Sequence, residues 1–339
     1  MDLRHKAMKA RRHLAGAWLA RIRPLPVYPY FYRSRWHALL SPARTIGSGH
    51  HYLTAVPNQG AGVGHQIANW IAGYWLARVF GTRFAHTPFS SPEWDRFLGL
   101  GQNEPLAGAL SADGLQRVRL PLFDEDDPVA VARTRAIIES YIKPTLFVLE
   151  QDQVYRAQIG PQAALAAKYR TAPARAEQAL IYRPGHVSLA VHIRRGDVTR
   201  EAAAANANLA LRYQDEAYFE TVLAAVLAAI DGAFTPDIYI FSQGQAADFP
   251  AFARYRNLRF CTDMDARASF AHLAAADILL TSKSSFSYKP ALLGEGIRIA
   301  PAPFWHDYPT SSDWITADAD GRFDSAALQA AIARRGRSA

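Results

Sequence analysis

From residue 187 onward, short apolar runs at 187–193, 237–241, 258–261, 277–280 and 297–300 alternate with stretches of helical character. Such alternation predicts a parallel sheet, because parallel neighbours need a crossover long enough to return the chain to the same end. Between the first two runs, Tyr218, Val222, Val226 and Ile230 recur every fourth residue, with Phe219, Leu223 and Leu227 beside them. That spacing predicts a helix with a broad buried face. Segments 270–276 and 285–293 predict two further crossovers.

The N-terminal half begins in a similar way. A turn at 58–64 precedes Ile67, Ile71, Tyr74 and Trp75, which share a helix face that ends near Gly81, and a strand is expected at 83–86. Residues 99–130, rich in Gly, Pro and acidic side chains, show no clear period, and an Ala-rich helical stretch spans roughly 157–180. The turn dipeptide Pro184-Gly185 marks the expected boundary between two α/β domains. The expected layout is a basic amphipathic arm over 1–35, a Rossmann-like domain over 36–184 on the acceptor side, and a Rossmann-like donor domain over 185–339 with a terminal helix.

A chain of 339 residues with 50% hydrophobic content can bury two such cores. Its formal charge of +8 suggests affinity for nucleic acid until its distribution is considered. Residues 1–35 hold nine Lys or Arg against Asp2 alone, and the remainder is balanced. Within that arm Leu14, Trp18 and Ile22, with Leu19 adjacent, fall on one helical face before Pro24 and Pro26. A basic amphipathic helix can lie on an anionic membrane surface; a solvated leader is the plainer alternative. The sequence has no apolar run long enough to cross a bilayer and no secretory signal pattern, which predicts a cytoplasmic protein. Cys261, the sole cysteine, has no partner for an internal disulfide.

The run at 187–193 leads straight into Arg194-Arg195-Gly196-Asp197. Charge at the carboxyl end of a parallel strand sits where ligands of open α/β sheets bind. Paired guanidinium forks suit phosphate oxygens, Asp197 can hold one of them, and His192 shares the face of Arg194. The alternative is an ordinary surface turn. A second element, Gly60-x-Gly62-x-Gly64-x-Gln66, opens a helix with glycines that let backbone amides approach an anion, or that simply permit a tight turn. The third runs from Ala276-Asp277 through Ser284-Ser285 to Phe286-Ser287, a strand ending in hydroxyls that can bind phosphate or cap the following helix.

An acceptor hydroxyl calls for a general base, and Glu201, four residues beyond Asp197, is the candidate; it can equally be a helix-start glutamate. His186 and His272 are weaker candidates. Asp-x-Asp occurs at Asp124/Asp126, Asp263/Asp265 and Asp318/Asp320, too cheaply to identify a metal site; with arginines on the diphosphate, no metal is required.

Taken together, His192-x-Arg194-Arg195-x-Asp197, Gly60-x-Gly62-x-Gly64-x-Gln66 and Ala276-Asp277 with Ser284-Ser285 resemble the α1,6/α1,2-fucosyltransferases and protein O-fucosyltransferases. The nearest resemblance is to the core α1,6 and rhizobial nodulation enzymes. It implies a GT-B-like fold of two Rossmann-like domains facing a cleft. It also implies metal-independent, inverting transfer of fucose from GDP-fucose to a glycan hydroxyl, without a cofactor. By motif position, Arg194 would contact the β-phosphate and His192 would lie beside the nucleotide. Arg195, Asp197, Gly62, Gly64, Gln66, Ser284 and Ser285 would complete the donor site. Glu201-Ala202-Ala203 looks like the core enzymes' catalytic glutamate, though one residue closer to the Asp. His65 stands where the family has cysteine, and Lys283, Lys289 and Pro290 also depart from it. Transfer of another nucleotide sugar, or GDP or glycan binding without turnover, are the alternatives.

Overall fold

The computed structural model describes residues 18, 21–41, 48–150, 153, 158–230 and 232–336. Leu14 and Leu19 of the arm's apolar stripe lie outside these. The described residues form two compact α/β units. The first draws on Met1–Gly60, Ala68–Ser90 and Asn103–Tyr155, and the second on Ala61–Ile67, Ser91–Gln102 and Arg156–Ala339.

The first unit holds a four-stranded parallel sheet of β1 (Tyr52–Thr54), β2 (Arg83–Phe84), β3 (Gln116–Arg119) and β4 (Thr145–Val148), in the order β2-β1-β4-β3. The Val63–Val79 helix carries Ile67 and Ile71 inward as its period predicts, and Trp70 beside them is fully buried, its indole N–H donating to His86 Nδ1 at 3.0 Å. Strand β2 is shorter than expected, since only an isolated bridge from His86 to Leu106 continues its pairing.

In the second unit, β5 (Ser188–His192), β6 (Asp237–Phe241), β7 (Leu258–Phe260), β8 (Ile278–Leu280), β9 (Ile297–Pro301) and β10 (Trp314–Ala317) form a parallel sheet ordered β7-β6-β5-β8-β9-β10. From β5 the chain winds outward to β7, then crosses back to β8 and winds the other way. The reversal between β5 and β8 is the switch point of a doubly wound sheet. On one face Leu189, Val191 and Ile193 pack with Phe219, Val222, Leu223, Val226 and Ile230 of the Glu216–Ile230 helix. Full burial of each such side chain is worth about 1.5–3 kcal/mol. On the other face Ala190 and Leu279 meet Tyr288, Ala291 and Leu292 of the Ser285–Leu293 helix. At the amino end of the sheet, Asp277 accepts the Ser188 backbone N–H at 2.8 Å and the Ser188 hydroxyl at 2.7 Å, which pins β5 to β8.

The unit division departs from the expected boundary at Pro184-Gly185. Residues from Arg156 onward already belong to the second unit, because the Gln162–Thr171 helix packs there: Gln162 Nε2 donates to the Leu292 carbonyl at 3.3 Å. Just upstream, the buried Lys289 Nζ donates to Gln158 Oε1 at 2.6 Å. Ser91–Gln102 joins the same unit through Trp94 and Phe97, whose rings meet Phe270 edge-on. The Ala-rich stretch is also shorter than expected, since Pro173 ends the helix and opens a single 3-10 turn.

Candidate active site at the switch point

At the carboxyl end of β5 the backbone pairs for one residue beyond the strand, with Ile193 N–H donating to the Phe241 carbonyl at 3.0 Å. The Ser242 hydroxyl donates to the Ile193 carbonyl at 2.8 Å. Gly196 then turns the chain with φ +83°, and a Cβ there would lie 2.1 Å from Gln243 Oε1. The left-handed backbone favours glycine here. Across this turn Arg194 Nη2 donates to Asp197 Oδ1 at 2.5 Å, as the sequence predicts. Asp197 is exposed, so the pair contributes little stability; it fixes the direction of the Arg194 guanidinium.

Arg195 donates through Nη1 to the carbonyls of Arg194 (2.9 Å) and Gln214 (3.0 Å), and its guanidinium lies 5.2 Å from the centre of the Tyr213 ring. Burial lowers its pKa from the ordinary arginine value. Gln214 in turn accepts the Lys283 backbone N–H at 2.8 Å. The loops that follow β5 and β8 are therefore linked through Arg195 and Gln214.

His192 is buried on the Ala190 side of the sheet, with Nδ1 2.8 Å from Ser282 Oγ. Burial, reinforced by the Arg194 charge, pushes its pKa down to about 3, so the imidazole is neutral at physiological pH. It lines the pocket and hydrogen-bonds Ser282 as an uncharged ring.

The glycine loop reaches this unit as well. A Cβ on Gly64 would lie 2.8 Å from the Ser285 carbonyl carbon, so the start of the Val63–Val79 helix packs directly on the start of the Ser285–Leu293 helix. This contact explains why Ala61–Ile67 belong to the second unit, against the expectation that they come from the N-terminal domain. Gly62 faces open space. Gln66 is buried and donates from Nε2 to the Ala61 carbonyl at 2.8 Å, closing the loop on itself. Ser284 caps its helix, accepting the Phe286 N–H at 3.2 Å.

A pocket of about 340 Å³ opens at this end of the sheet. That is the lower end of the range for small-molecule sites. Its walls include His192, Arg194 and Arg195, Ser242 and Gln243 after β6, and Val63 from the glycine-loop helix. Trp94, Phe241 and Phe286 supply aromatic surface, and Met264, Ala266 and Ser269 close the β7 side. Three sequence motifs distant in the chain thus meet at one cavity: the first lines it, the second contributes Val63, and the third contributes Phe286. Of the expected donor residues, Asp197, Gly62, Gly64, Gln66, Ser284 and Ser285 are not wall residues; Asp197, Gly64, Gln66 and Ser284 position those that are.

Glu201 lies apart from this pocket. It begins the short Arg200–Ala205 helix, is exposed, and is not among the pocket's lining residues. Its own backbone N–H and Thr199 hold its carboxyl below the usual glutamate range. His272 is structural: its Nε2 accepts the Ile181 N–H at 2.9 Å, which leaves Nδ1 to donate to the Ala268 carbonyl at 2.7 Å. His186 is half exposed beside Asp237. In the Asp-x-Asp pairs, Asp124 accepts the Asp126 N–H, Asp265 caps the Ala266–Ala275 helix, and Asp318 accepts the Asp320 and Arg322 N–H groups.

Trp94 and the residues after β6 and β7 have no counterpart in the sequence reading. The N-cap signature Ser91-Pro92-Glu93 before Trp94 could have located its helix, but not its place at the pocket.

No protein-family model matches the chain, and no curated protein sequence does. Among solved structures, POFUT1 in its apo-form aligns with a TM-score of 0.49 at 10% identity, covering 79% of this chain and 99% of that one. POFUT1 in complex with GDP-fucose gives 0.47 at 10%, covering 76% and 98%. The E. coli heptosyltransferase WaaC with ADP gives 0.40 at 12%, covering 84% and 98%. At these identities and TM-scores the likeness is not evidence about chemistry.

Proposed function

We propose that this chain is a glycosyltransferase that takes its donor as a nucleoside diphosphate sugar at the β5 switch point. The carrying observation is the convergence of the arginine motif, the glycine-loop helix and the Phe286 helix start on one pocket at the carboxyl ends of parallel strands. In this reading Arg194, aimed by Asp197, meets the diphosphate and neutralises the charge that develops as the glycosidic bond breaks. Arg195 adds positive potential and holds the loop. The aromatic faces of Trp94 and Phe286 accept a nucleobase or sugar ring, and neutral His192 completes the wall without competing for the phosphates.

The finer proposal is inverting, metal-independent transfer of fucose from GDP-fucose to a glycan hydroxyl within a GT-B-like, two-domain enzyme. It rests on the resemblance of the three motifs to the fucosyltransferases. Because the described residues that line the pocket include no carboxylate, catalysis in this reading rests on leaving-group stabilisation by Arg194. The same observation favours one alternative, a GDP or glycan binder without turnover. Calorimetry with GDP, GDP-fucose and UDP-sugars in the presence of a chelator, followed by a transfer assay on a glycan panel, tests all of this. Failure of the intact protein to bind any nucleoside diphosphate overturns the proposal. GDP binding without turnover selects the binder, and preference for another nucleotide sugar overturns the fucose assignment alone.

A further inference from the structure

Of the large hydrophobic side chains that stand exposed among the described residues, a disproportionate share lies in one short stretch: Trp18, Leu25, Val27, Tyr30, Phe31, Trp36, Leu39 and Leu40. The Arg33–Leu40 helix shows why this is not ordinary surface. Its polar side faces the protein: Ser34 is buried and donates to the Arg119 carbonyl at 2.8 Å, while His37 lies 3.0 Å from Ser140 Oγ and stacks on Tyr141 with centroids 4.0 Å apart. Trp36, Leu39 and Leu40, at the i, i+3, i+4 spacing of one helix face, point outward, and Leu40 is 78% exposed. An amphipathic helix normally does the reverse. The outward aromatics are also held in place. Trp36 Nε1 donates to the Tyr30 carbonyl at 2.8 Å, Trp36 meets Tyr30 edge-on, and Trp18 meets Phe31 likewise.

Charge identifies what covers this face. The sequence has no Asp or Glu between Asp2 and Glu93, while Arg21, Arg23, Arg33 and Arg35 interleave the apolar residues. Beside Phe31, Arg33, Arg117 and Arg119 border a cavity of about 490 Å³. Its one acid, Glu150, is buried and already bonded to Tyr32 and Arg119. A second copy of the same face would set arginine against arginine. Tryptophan, tyrosine and leucine among arginines is the chemistry of a bilayer interface, where rings and aliphatic ends enter the headgroup region and cations meet lipid phosphates. None of the described helices is long and apolar enough to cross a membrane, so the contact is with its surface.

We infer that Trp18 and residues 21–40, with Arg117 at the border, form a docking surface for an anionic lipid bilayer. This inference is independent of the donor-site reading. The test is flotation of the full chain with vesicles of phosphatidylcholine alone, or of phosphatidylcholine containing about one-third phosphatidylglycerol. The intact protein should float only with the anionic vesicles. The triple variant Trp36→Ser, Leu39→Ser, Leu40→Ser keeps every basic residue of the arm. It should lose at least about tenfold in partitioning with its melting temperature unchanged, since all three side chains are at least half exposed. Arg33→Glu with Arg117→Glu, which leaves the apolar face intact, should weaken anionic binding in parallel. The inference is overturned if the intact chain ignores anionic vesicles, or if the triple variant floats as well as the intact chain, which would assign binding to the basic arm alone. A concentration-dependent dimer that the triple variant dissolves, with no vesicle binding, would also overturn it and make the face a contact between copies.

Discussion

His192 Nδ1 and Ser282 Oγ, 2.8 Å apart, join the carboxyl ends of β5 and β8 at the point where the winding of the sheet reverses. The bond lies within the second unit's core, and only the uncharged imidazole fits there. With its pKa pushed down to about 3 in the folded chain and near 6.5 when unfolded, His192 makes the unfolded state bind more protons between those values. Its contribution is therefore fully present above about pH 6.5 and is lost as pH falls toward 3, with a slope approaching about 1.4 kcal/mol per pH unit. His51, lowered to about 4 by burial, adds a similar term. Denaturant midpoints measured from pH 7 to pH 4 should fall for the intact chain and fall less steeply for His192→Gln.

Arg194→Ala should weaken GDP binding by about ten- to a hundredfold, the range of a lost charge-assisted hydrogen bond of 1.5–3 kcal/mol. Its exposed pair with Asp197 contributes little to folding, so the melting temperature should not move. Isothermal titration beside a thermal melt separates the two effects. Unchanged GDP affinity would remove Arg194 from the site.

Gly64→Ala should destabilise the protein by about 1–3 kcal/mol, because the added methyl meets Ser285 backbone that cannot shift freely. Gly62→Ala is the control: nothing lies within 4 Å of its Cβ position, so it should cost at most about 1 kcal/mol. Equal urea midpoints for the two variants would contradict the packing described.

Glu201→Gln should leave both nucleotide affinity and transfer rate within about twofold of the parent, as expected of an exposed helix-start residue. If transfer collapses while GDP still binds, Glu201 is the general base that the Glu201-Ala202-Ala203 pattern suggests.

Five of the six strands of the second sheet were legible because helices cover both of its faces, while β10 (Trp314–Ala317) was not read. Strands such as Leu189–Val191 then read as unbroken apolar runs, and the Glu216–Ile230 helix shows a clean stripe. In the first unit β3 hides, since only Val118 of its four residues is buried and Arg117 and Arg119 point to solvent. The placement of Ser91–Gln102 and Ala61–Ile67 in the second unit depends on Trp94 meeting Phe270 and Gly64 meeting Ser285. Contacts across some two hundred residues leave no local period to read. Glu201 in the first turn of its helix has a local reason of its own, because acidic residues favour helix starts whether or not a substrate is near.

The chain of bonds from Arg195 through Gln214 to Lys283 has a kinetic consequence. Because the loops after β5 and β8 are tied together, a nucleotide bound between them, as proposed, would spend little of its binding free energy on ordering them. Association should then follow a single exponential whose rate rises linearly with nucleotide concentration. Gln214→Ala, which severs the link, should introduce a slower second phase that saturates.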